Sequence, residues 1–376
     1  PFGEAKPTSP DIRKLVEQAV ASRMEADVPM GAFLSGGIDS SIVVGVMSKL
    51  KKEPVKTFSL GFADAPNYDE TAYARLASAA FKTQHTEIKL GSNCWQHVEK
   101  LVTLYDGPVG DYSALPTYIV SGLAREQVSV ALTGDGGDEI FCGYPRFIAG
   151  EWSESIPSSL LKIGLLLGGS PGPGKRTFIA QMRRFLSVAS LPLAERMAAW
   201  SSYQTPQGEP LAWVKGMFES TEGLHPLARI LSHNFESYLP EDLLVKADRC
   251  SMAHGLELRS PFLDTKLIEG ATQLAPRALR RGRDTKIALK KAFEDILPAQ
   301  ILRRGKMGFG MPLGLWFRTD WASSLVELIG ARQAKIYDYM DFNFGQKLLT
   351  SHLKGAQDNA SLLWILMTLE LWLLRK

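Results

Sequence analysis

The sequence has 376 residues, 45% of them hydrophobic and 22% charged, which excludes the disordered and fibrous classes. A net charge of +3 is too small to indicate a nucleic-acid partner, and every apolar run is shorter than the ~18 to 20 residues of a membrane span. The three cysteines are far apart, without disulfide or zinc spacing, which favours a reducing cytoplasm.

The first 150 residues alternate between short β-branched runs and helical patterns. Residues 1–27 read as a Pro-rich linker and an amphipathic helix, with Ser9 placed to cap that helix. The strands expected next are Val28–Leu34, Val55–Leu60, His85–Leu90 and Val128–Thr133, and the helices between them are Asp39–Leu50, Asp69–Phe81, Cys94–Tyr105 and Ser113–Glu126. This alternation predicts an α/β fold with a parallel doubly wound sheet over residues 28–150.

The chain changes character after residue 150. Strand signals vanish, and apart from the GGSPGPG stretch at Gly168–Gly174 the pattern predicts helices up to Lys376. The expected organisation is therefore a linker and helix over 1–27, an α/β core over 28–150, and a helical C-terminal portion over 151–376. The apolar residues of the last helix, Trp364 among them, are expected in the core.

The segment SGGIDS, Ser35 to Ser40, follows the first predicted strand and begins a helix. Its two glycines let the backbone approach an anion, and the first N–H groups of the helix point at that anion. Asp39 would repel a phosphate unless a divalent cation bridges them, so the motif implies Mg²⁺. The alternative is an ordinary Gly-Gly turn in which Asp39 and Ser40 cap the helix.

The segment TGDGGDE, Thr133 to Glu139, follows the last predicted strand. Its three carboxylates beside three glycines form an acidic loop that should face the same crevice, because ligands bind where parallel strands end. Such crowding favours a cation site or a proton-transfer role, although a solvated acidic turn remains an alternative.

The two glycine motifs together resemble the synthetase domain of glutamine-dependent asparagine synthetases, within the ATP-pyrophosphatase (PP-loop) superfamily. Further blocks agree in the same order along the chain, including Tyr68 to Glu70, Val245 to Arg249, Arg259 to Asp264 and KMGFGMP at Lys306 to Pro312. The resemblance runs from about residue 10 to the C-terminus. It implies an ATP-dependent ligase that adenylates the side chain of aspartate and transfers ammonia to it, giving asparagine, AMP and pyrophosphate.

The resemblance also implies roles for individual residues. Mg²⁺ would lie between Asp39 and Asp138, and Lys286 and Lys306 would stabilise the charge that develops on the phosphates. Asp135 stands where many family members have a glutamate that accepts a proton from ammonia. ATP would be held by residues from the strand ends and the glycine loops: Leu34, Ser35, Gly36, Gly37, Asp39, Ser40, Leu60, Thr133 and Gly134.

Alternatives remain open for the substrate and the partners. A related amidotransferase could act on a sugar uronate or a peptide intermediate, and an inactive nucleotide-binding module is a third possibility. The family's glutaminase half begins with a catalytic cysteine, whereas the first cysteine here is Cys94, so ammonia is expected to be used directly or supplied by a separate glutaminase. A homodimer is possible, and the arginines at 277, 280, 281 and 283 are expected to form a solvated face.

Overall fold

Five parallel strands form the central sheet, in the order β3-β2-β1-β4-β5, in a computed structural model that describes residues 10–157, 185–308 and 310–375. The strands are β1 Met30–Phe33, β2 Lys56–Phe62, β3 Gln84–Leu90, β4 Val130–Leu132 and β5 Glu257–Arg259. The predicted parallel doubly wound α/β fold is confirmed. Ser9 and the GGSPGPG stretch lie outside the described residues.

The switch in strand order lies between β1 and β4. Gly31 is in register with Lys56 of β2 on one side of β1, and with Ala131 of β4 on the other. The chain builds outwards from β1 to β2 and β3, then crosses to β4 on the opposite side. In such sheets a crevice opens at the carboxyl ends of the two strands that flank the switch. The two glycine motifs follow β1 and β4, so both lie at this crevice.

The fifth strand corrects the expectation that only helices follow residue 150. Val130 of β4 pairs with Glu257, and Leu132 pairs with Arg259. A second short pairing joins Arg280–Arg281 to Asp284–Thr285 in an antiparallel hairpin. Three residues are too few to show an alternating pattern, and tertiary pairing with β4 decides the conformation of β5.

Helices cover both faces of the sheet and are the commonest element in the rest of the described chain. The α-helices are Ile12–Arg23, Ile38–Leu50, Thr71–Phe81, Val98–Thr103, Ala114–Arg125, Gly137–Ile140, Pro145–Glu154, Leu193–Ser201, Gly208–Glu219, Pro226–Glu236, Val245–Met252, Thr265–Thr272, Pro276–Leu279, Ile287–Ala292, Ala299–Leu302, Leu313–Trp316, Ala322–Ile329, Phe342–Leu353 and Ala360–Leu373. Within the described parts of the chain, no helix is both long and apolar enough to cross a membrane.

Two of the helices predicted from sequence differ in detail. The first begins at Ile12 and is capped by Asp11, whose side chain accepts from the Lys14 amide at 3.0 Å. The segment predicted as one helix over Cys94–Tyr105 consists of a 3-10 turn at Ser92–His97 and an α-helix at Val98–Thr103. Cap geometry and the switch between helix types are weakly encoded in apolar spacing.

Two apolar clusters lie on either side of the sheet. One contains Val16, Val44 and Phe262, and joins the first two helices to residues from the second half of the chain. The other contains Leu115 and Trp364, and joins the helix Ala114–Arg125 to the C-terminal helices. Trp364 is fully buried and donates from its indole Nε1 to the Val109 carbonyl at 2.8 Å, as its predicted core position requires. Both clusters therefore tie the C-terminal half to the sheet.

Candidate active site

A cavity of about 750 Å³ opens at the carboxyl ends of the strands. It falls within the size range of small-molecule sites. Twelve of the thirteen residues proposed from sequence line this cavity: Leu34, Ser35, Gly37, Asp39, Ser40, Leu60, Thr133, Gly134, Asp135, Asp138, Lys286 and Lys306. Residues far apart in sequence are therefore brought to one place.

Gly36, the remaining residue, shapes the loop from behind the cavity. Its φ is +70°, a conformation that L side chains rarely adopt, and a Cβ there would overlap the backbone of Tyr73 and Ala74. The loop is also held by its own hydroxyls, because the Ser35 and Ser40 Oγ atoms lie 3.1 Å apart in a hydrogen bond. Gly37 is the N-cap of the helix Ile38–Leu50, whose first amides thus begin at the cavity wall.

Four charged side chains meet beside this loop, and we call them, with residues 35–40, the glycine-loop end of the cavity. Lys286 lies between Asp39 and Asp138 and forms ion pairs with both carboxylates. Lys306 pairs with the other oxygen of Asp138. The two positive charges match the two negative charges, so the cluster is electrically balanced in the free protein.

The two lysines reach the cluster in different ways. The Lys286 side chain is only 5% exposed and that of Lys306 is 32% exposed. Lys286 has a φ of +56° at the junction between the hairpin and the helix Ile287–Ala292. Gly143 leaves room for it, because a Cβ there would overlap Asp138 and Lys286. Lys286 is therefore built into the fold, whereas Lys306 lies on an accessible loop.

Burial and pairing shift the carboxyl groups in opposite directions. Burial, together with the charge of Asp138, raises the pKa of Asp39 although the Lys286 ammonium acts to lower it. Burial would also raise the pKa of Asp138, but Lys286 and Lys306 together hold it well below its usual value. Burial, followed by the charge of Asp138, raises the pKa of Glu139 to about 7. Glu139 accepts a hydrogen bond from the Tyr144 hydroxyl.

The donor set suits Mg²⁺. Within the described residues, no group of three or more His, Cys, Asp or Glu side chains converges as a metal site. Mg²⁺, however, is commonly held by one or two carboxylates together with substrate phosphates. Asp39 Oδ1 is buried and has no hydrogen-bond partner among those residues, so it is an oxygen available to a cation.

Arg304 is a site residue that the sequence reasoning did not assign. It forms an ion pair with Glu70, donates to the Ser35 carbonyl at 3.4 Å, and lies 4.3 Å from the centre of the Tyr73 ring. It thereby links the glycine loop to the segment that contains Lys306. Its place two residues before Lys306, in the run RRGK, was the available signal.

A second set of polar groups lines the same cavity, and we call it the Lys246 end. Its members are Asp111, Ser113, Tyr203, Tyr238 and Lys246. Lys246 belongs to the block Val245 to Arg249, which is part of the family resemblance but carries no role predicted from the sequence. By contrast, Glu257 and Arg259 form an ion pair at 2.6 Å, and Arg259 donates to the carbonyls of Arg23 and Glu25. That pair is structural.

The comparison that decides the family covers nearly the whole chain. The family model described as asparagine synthase matches residues 11–374. The chain belongs to the asparagine synthase family. This family is the one that the motifs of the sequence resemble.

Named relatives agree with this assignment. Asparagine synthetase [glutamine-hydrolyzing] 1 of Bacillus subtilis is 28% identical over 378 residues, covering 96% of this chain and 58% of the relative. A putative asparagine synthetase [glutamine-hydrolyzing] of Mycobacterium tuberculosis is 29% identical, covering 96% and 57%. One from Methanocaldococcus jannaschii is 43% identical over 169 residues, covering 44% and 32%. The chain thus spans less than two thirds of the length of these relatives.

Proposed function

We propose that this protein is an ATP-dependent carbon-nitrogen ligase that converts aspartate and ammonia to asparagine. The observation that supports it most directly is the meeting of Asp39, Asp138, Lys286 and Lys306 at the carboxyl ends of β1 and β4. A dinucleotide site would not need two lysines paired with carboxylates beside the glycine loop. Cleavage of a phosphoanhydride bond does need them, because negative charge develops on the leaving phosphates.

In the first step, an oxygen of the substrate carboxylate attacks the α-phosphorus of ATP, and the bond to the β-phosphate oxygen breaks to release pyrophosphate. Ser35, Ser40 and the first amides of the helix Ile38–Leu50 would donate to the phosphate oxygens. Lys286 and Lys306 would turn from the carboxylates to the phosphates and offset the charge on the leaving group.

Asp39 and Asp138 would hold Mg²⁺, which supplies positive charge to the phosphates when bound. The carboxylates and lysines balance before the nucleotide arrives. The two lysines are then available to the phosphates when a metal ion pairs with the carboxylates.

In the second step, ammonia attacks the carbonyl carbon of the acyl-adenylate, the C–O bond to AMP breaks, and the nitrogen loses a proton. Asp135 lies on the cavity wall, on the loop between Thr133 and the helix Gly137–Ile140. We propose Asp135 as the group that accepts this proton.

Aspartate-dependent exchange of labelled pyrophosphate into ATP tests the proposal. We expect exchange that requires aspartate and Mg²⁺, and AMP as the product once ammonia is added. Release of ADP would contradict the adenylation step. Exchange with a different acid only would favour an amidotransferase acting on another carboxylate, and no exchange with any acid would favour an inactive nucleotide-binding module.

A further inference from the structure

The charges on the cavity wall give a polyanion little attraction from a distance. Among the described residues, seven acidic and five basic side chains line the cavity. Each of the five basic groups is paired with a carboxylate. The wall therefore has a formal excess of negative charge, and a nucleotide with three phosphates approaches it faster if positive charge lies outside the cavity.

Positive charge is concentrated in one segment of the chain, residues 277–290. This segment has six of the 43 Lys and Arg residues and one of the 40 Asp and Glu residues. The rest of the chain therefore has 37 basic residues against 39 acidic ones, and its net charge is negative. The positive charge of the protein is thus a local feature of this segment, which contains the antiparallel hairpin.

The arginines of the hairpin fall into two kinds. Arg280 does not belong to the solvated face predicted for it, because its side chain is only 10% exposed and pairs with Glu151. Arg281, in register with Asp284, and Arg283 are exposed. Their guanidinium groups have no ion-pair or hydrogen-bond partner in the part of the chain that the structure describes. The hairpin therefore presents two uncompensated positive charges to solvent.

The hairpin lies where the cavity meets solvent. Its second strand ends at Thr285, which lines the cavity, and the next residue is the buried Lys286. Arg283 is two residues before Thr285, so their Cα atoms are at most about 7 Å apart. Lys290, also on the cavity wall, pairs with Asp284, whose side chain is 59% exposed, so the wall reaches solvent at this point. The two free guanidinium groups therefore belong to the rim of the cavity.

We propose that Arg281 and Arg283 form an electrostatic entrance that guides ATP into the cavity. Uncompensated charges beside a cleft raise the association rate of an oppositely charged ligand by roughly 10- to 1000-fold. The lysines inside the cavity are paired and act at contact distance, whereas the two exposed arginines act over the Debye length, about 10 Å at 0.1 M salt. The inference rests on the proposed use of ATP, and it concerns the rate at which the nucleotide arrives rather than the chemistry.

Association rates test the inference. The probe is ATP that carries a fluorescent N-methylanthraniloyl group, and its binding in the presence of Mg²⁺ is followed by stopped-flow fluorescence. We expect Arg281→Gln combined with Arg283→Gln to lower the association rate constant by about 3- to 10-fold at about 50 mM salt. The difference should vanish at about 0.5 M salt, where exposed charges are screened. The dissociation rate constant should stay unchanged, because charges at the rim act mainly on the encounter.

The matched control removes the same charge from a distant place. Lys49→Gln combined with Lys52→Gln changes two exposed residues at the far end of the helix Ile38–Leu50, about 18 Å from the glycine loop. We expect this control to change the association rate constant by less than about twofold.

The outcomes separate the inference from the proposed function. A wild-type association rate constant in the arginine variant, or a loss confined to dissociation, would overturn the inference while the ligase function stands. Wild-type protein that neither binds the labelled ATP nor catalyses pyrophosphate exchange would instead remove the proposed function. Melting temperature checks folding, and each single substitution is measured if the double variant does not fold.

Discussion

The two ends of the cavity differ in how their charges are compensated. At the glycine-loop end, Lys286 and Lys306 match Asp39 and Asp138, and each charge is held by another. At the Lys246 end, one ammonium pairs with a single carboxylate, Asp111, and donates to the Ser113 hydroxyl. The network of shared charges at the glycine-loop end suits a ligand that arrives with its own counter-ion, such as a metal-bound polyphosphate, whereas the Lys246 end holds a single ion pair. Substitutions at the two ends should therefore affect different kinetic constants.

The largest effect is expected for Asp39→Asn. The substitution removes a carboxylate proposed for the metal ion and leaves Lys286 without one of its partners. We expect pyrophosphate exchange to fall at least about 1000-fold for every acceptor acid. The control is Asp106→Asn, whose side chain is 88% exposed. Wild-type exchange in Asp39→Asn would remove the metal assignment and with it the distinction between the two ends.

Substitutions of the two lysines should have different effects, Lys286→Met mainly on stability and Lys306→Met mainly on catalysis. Lys286→Met leaves two buried carboxylates without their shared cation, so we expect a loss of about 3 to 5 kcal/mol in the free energy of unfolding. Lys306→Met should lower kcat by about 100-fold or more with little change in stability, because Lys306 is a third exposed. Urea melts and exchange assays measure the two effects, with the exposed Lys291→Met as control. Equal stability losses in both variants would contradict this separation.

A smaller effect is expected for the contact that links the loops. Arg304→Met removes the ion pair with Glu70 and the bond to the Ser35 carbonyl. We expect the KM for ATP to rise about tenfold and the KM for aspartate to stay unchanged. Arg303→Met changes an exposed neighbour and is the matched control. A rise in the KM for aspartate alone would contradict this assignment of Arg304 to the glycine-loop end.

The smallest effect concerns Glu139, whose pKa is raised from 4.5 to about 7. The folded state then binds this proton more tightly than the unfolded state does, so the contribution of Glu139 to stability falls as pH rises from about 4.5 to about 7. Glu139→Gln removes this pH-dependent contribution to the stability of the fold. We expect the melting temperature of the variant, relative to the wild type, to rise between about pH 5 and pH 8. The exposed Glu126→Gln is the control, and parallel profiles for Glu139→Gln and wild type would contradict the assignment.

The glycine-loop end was predictable because its residues obey local rules. Gly36 needs a positive φ, and Asp39 beside an anion-binding helix start needs a cation, so each residue type reports a constraint in its own neighbourhood. The resemblance to the family then added Lys286 and Lys306, which no spacing rule brings next to Asp39. The four strands before residue 150 followed from the same local patterns.

The Lys246 end and β5 were not predictable in this way. The partners of Lys246 are more than a hundred residues distant, and a lone lysine in a helix is ordinarily a solvated side chain. β5 has three residues, and its conformation depends on the ladder with β4. Arg304 likewise gains its role from Glu70 and Tyr73 after folding. Each of these features depends on a long-range contact.

The position of β5 in the chain has a consequence for biosynthesis. β4 ends at Leu132 and its partner begins at Glu257, so a growing polypeptide that has completed its first four strands presents β4 as an open edge. Such an edge is a template for pairing with other chains until it is covered, and distant contacts close slowly. We therefore expect the first half of the chain, expressed alone, to expose the edge of β4 that the segment up to residue 259 covers in the complete fold.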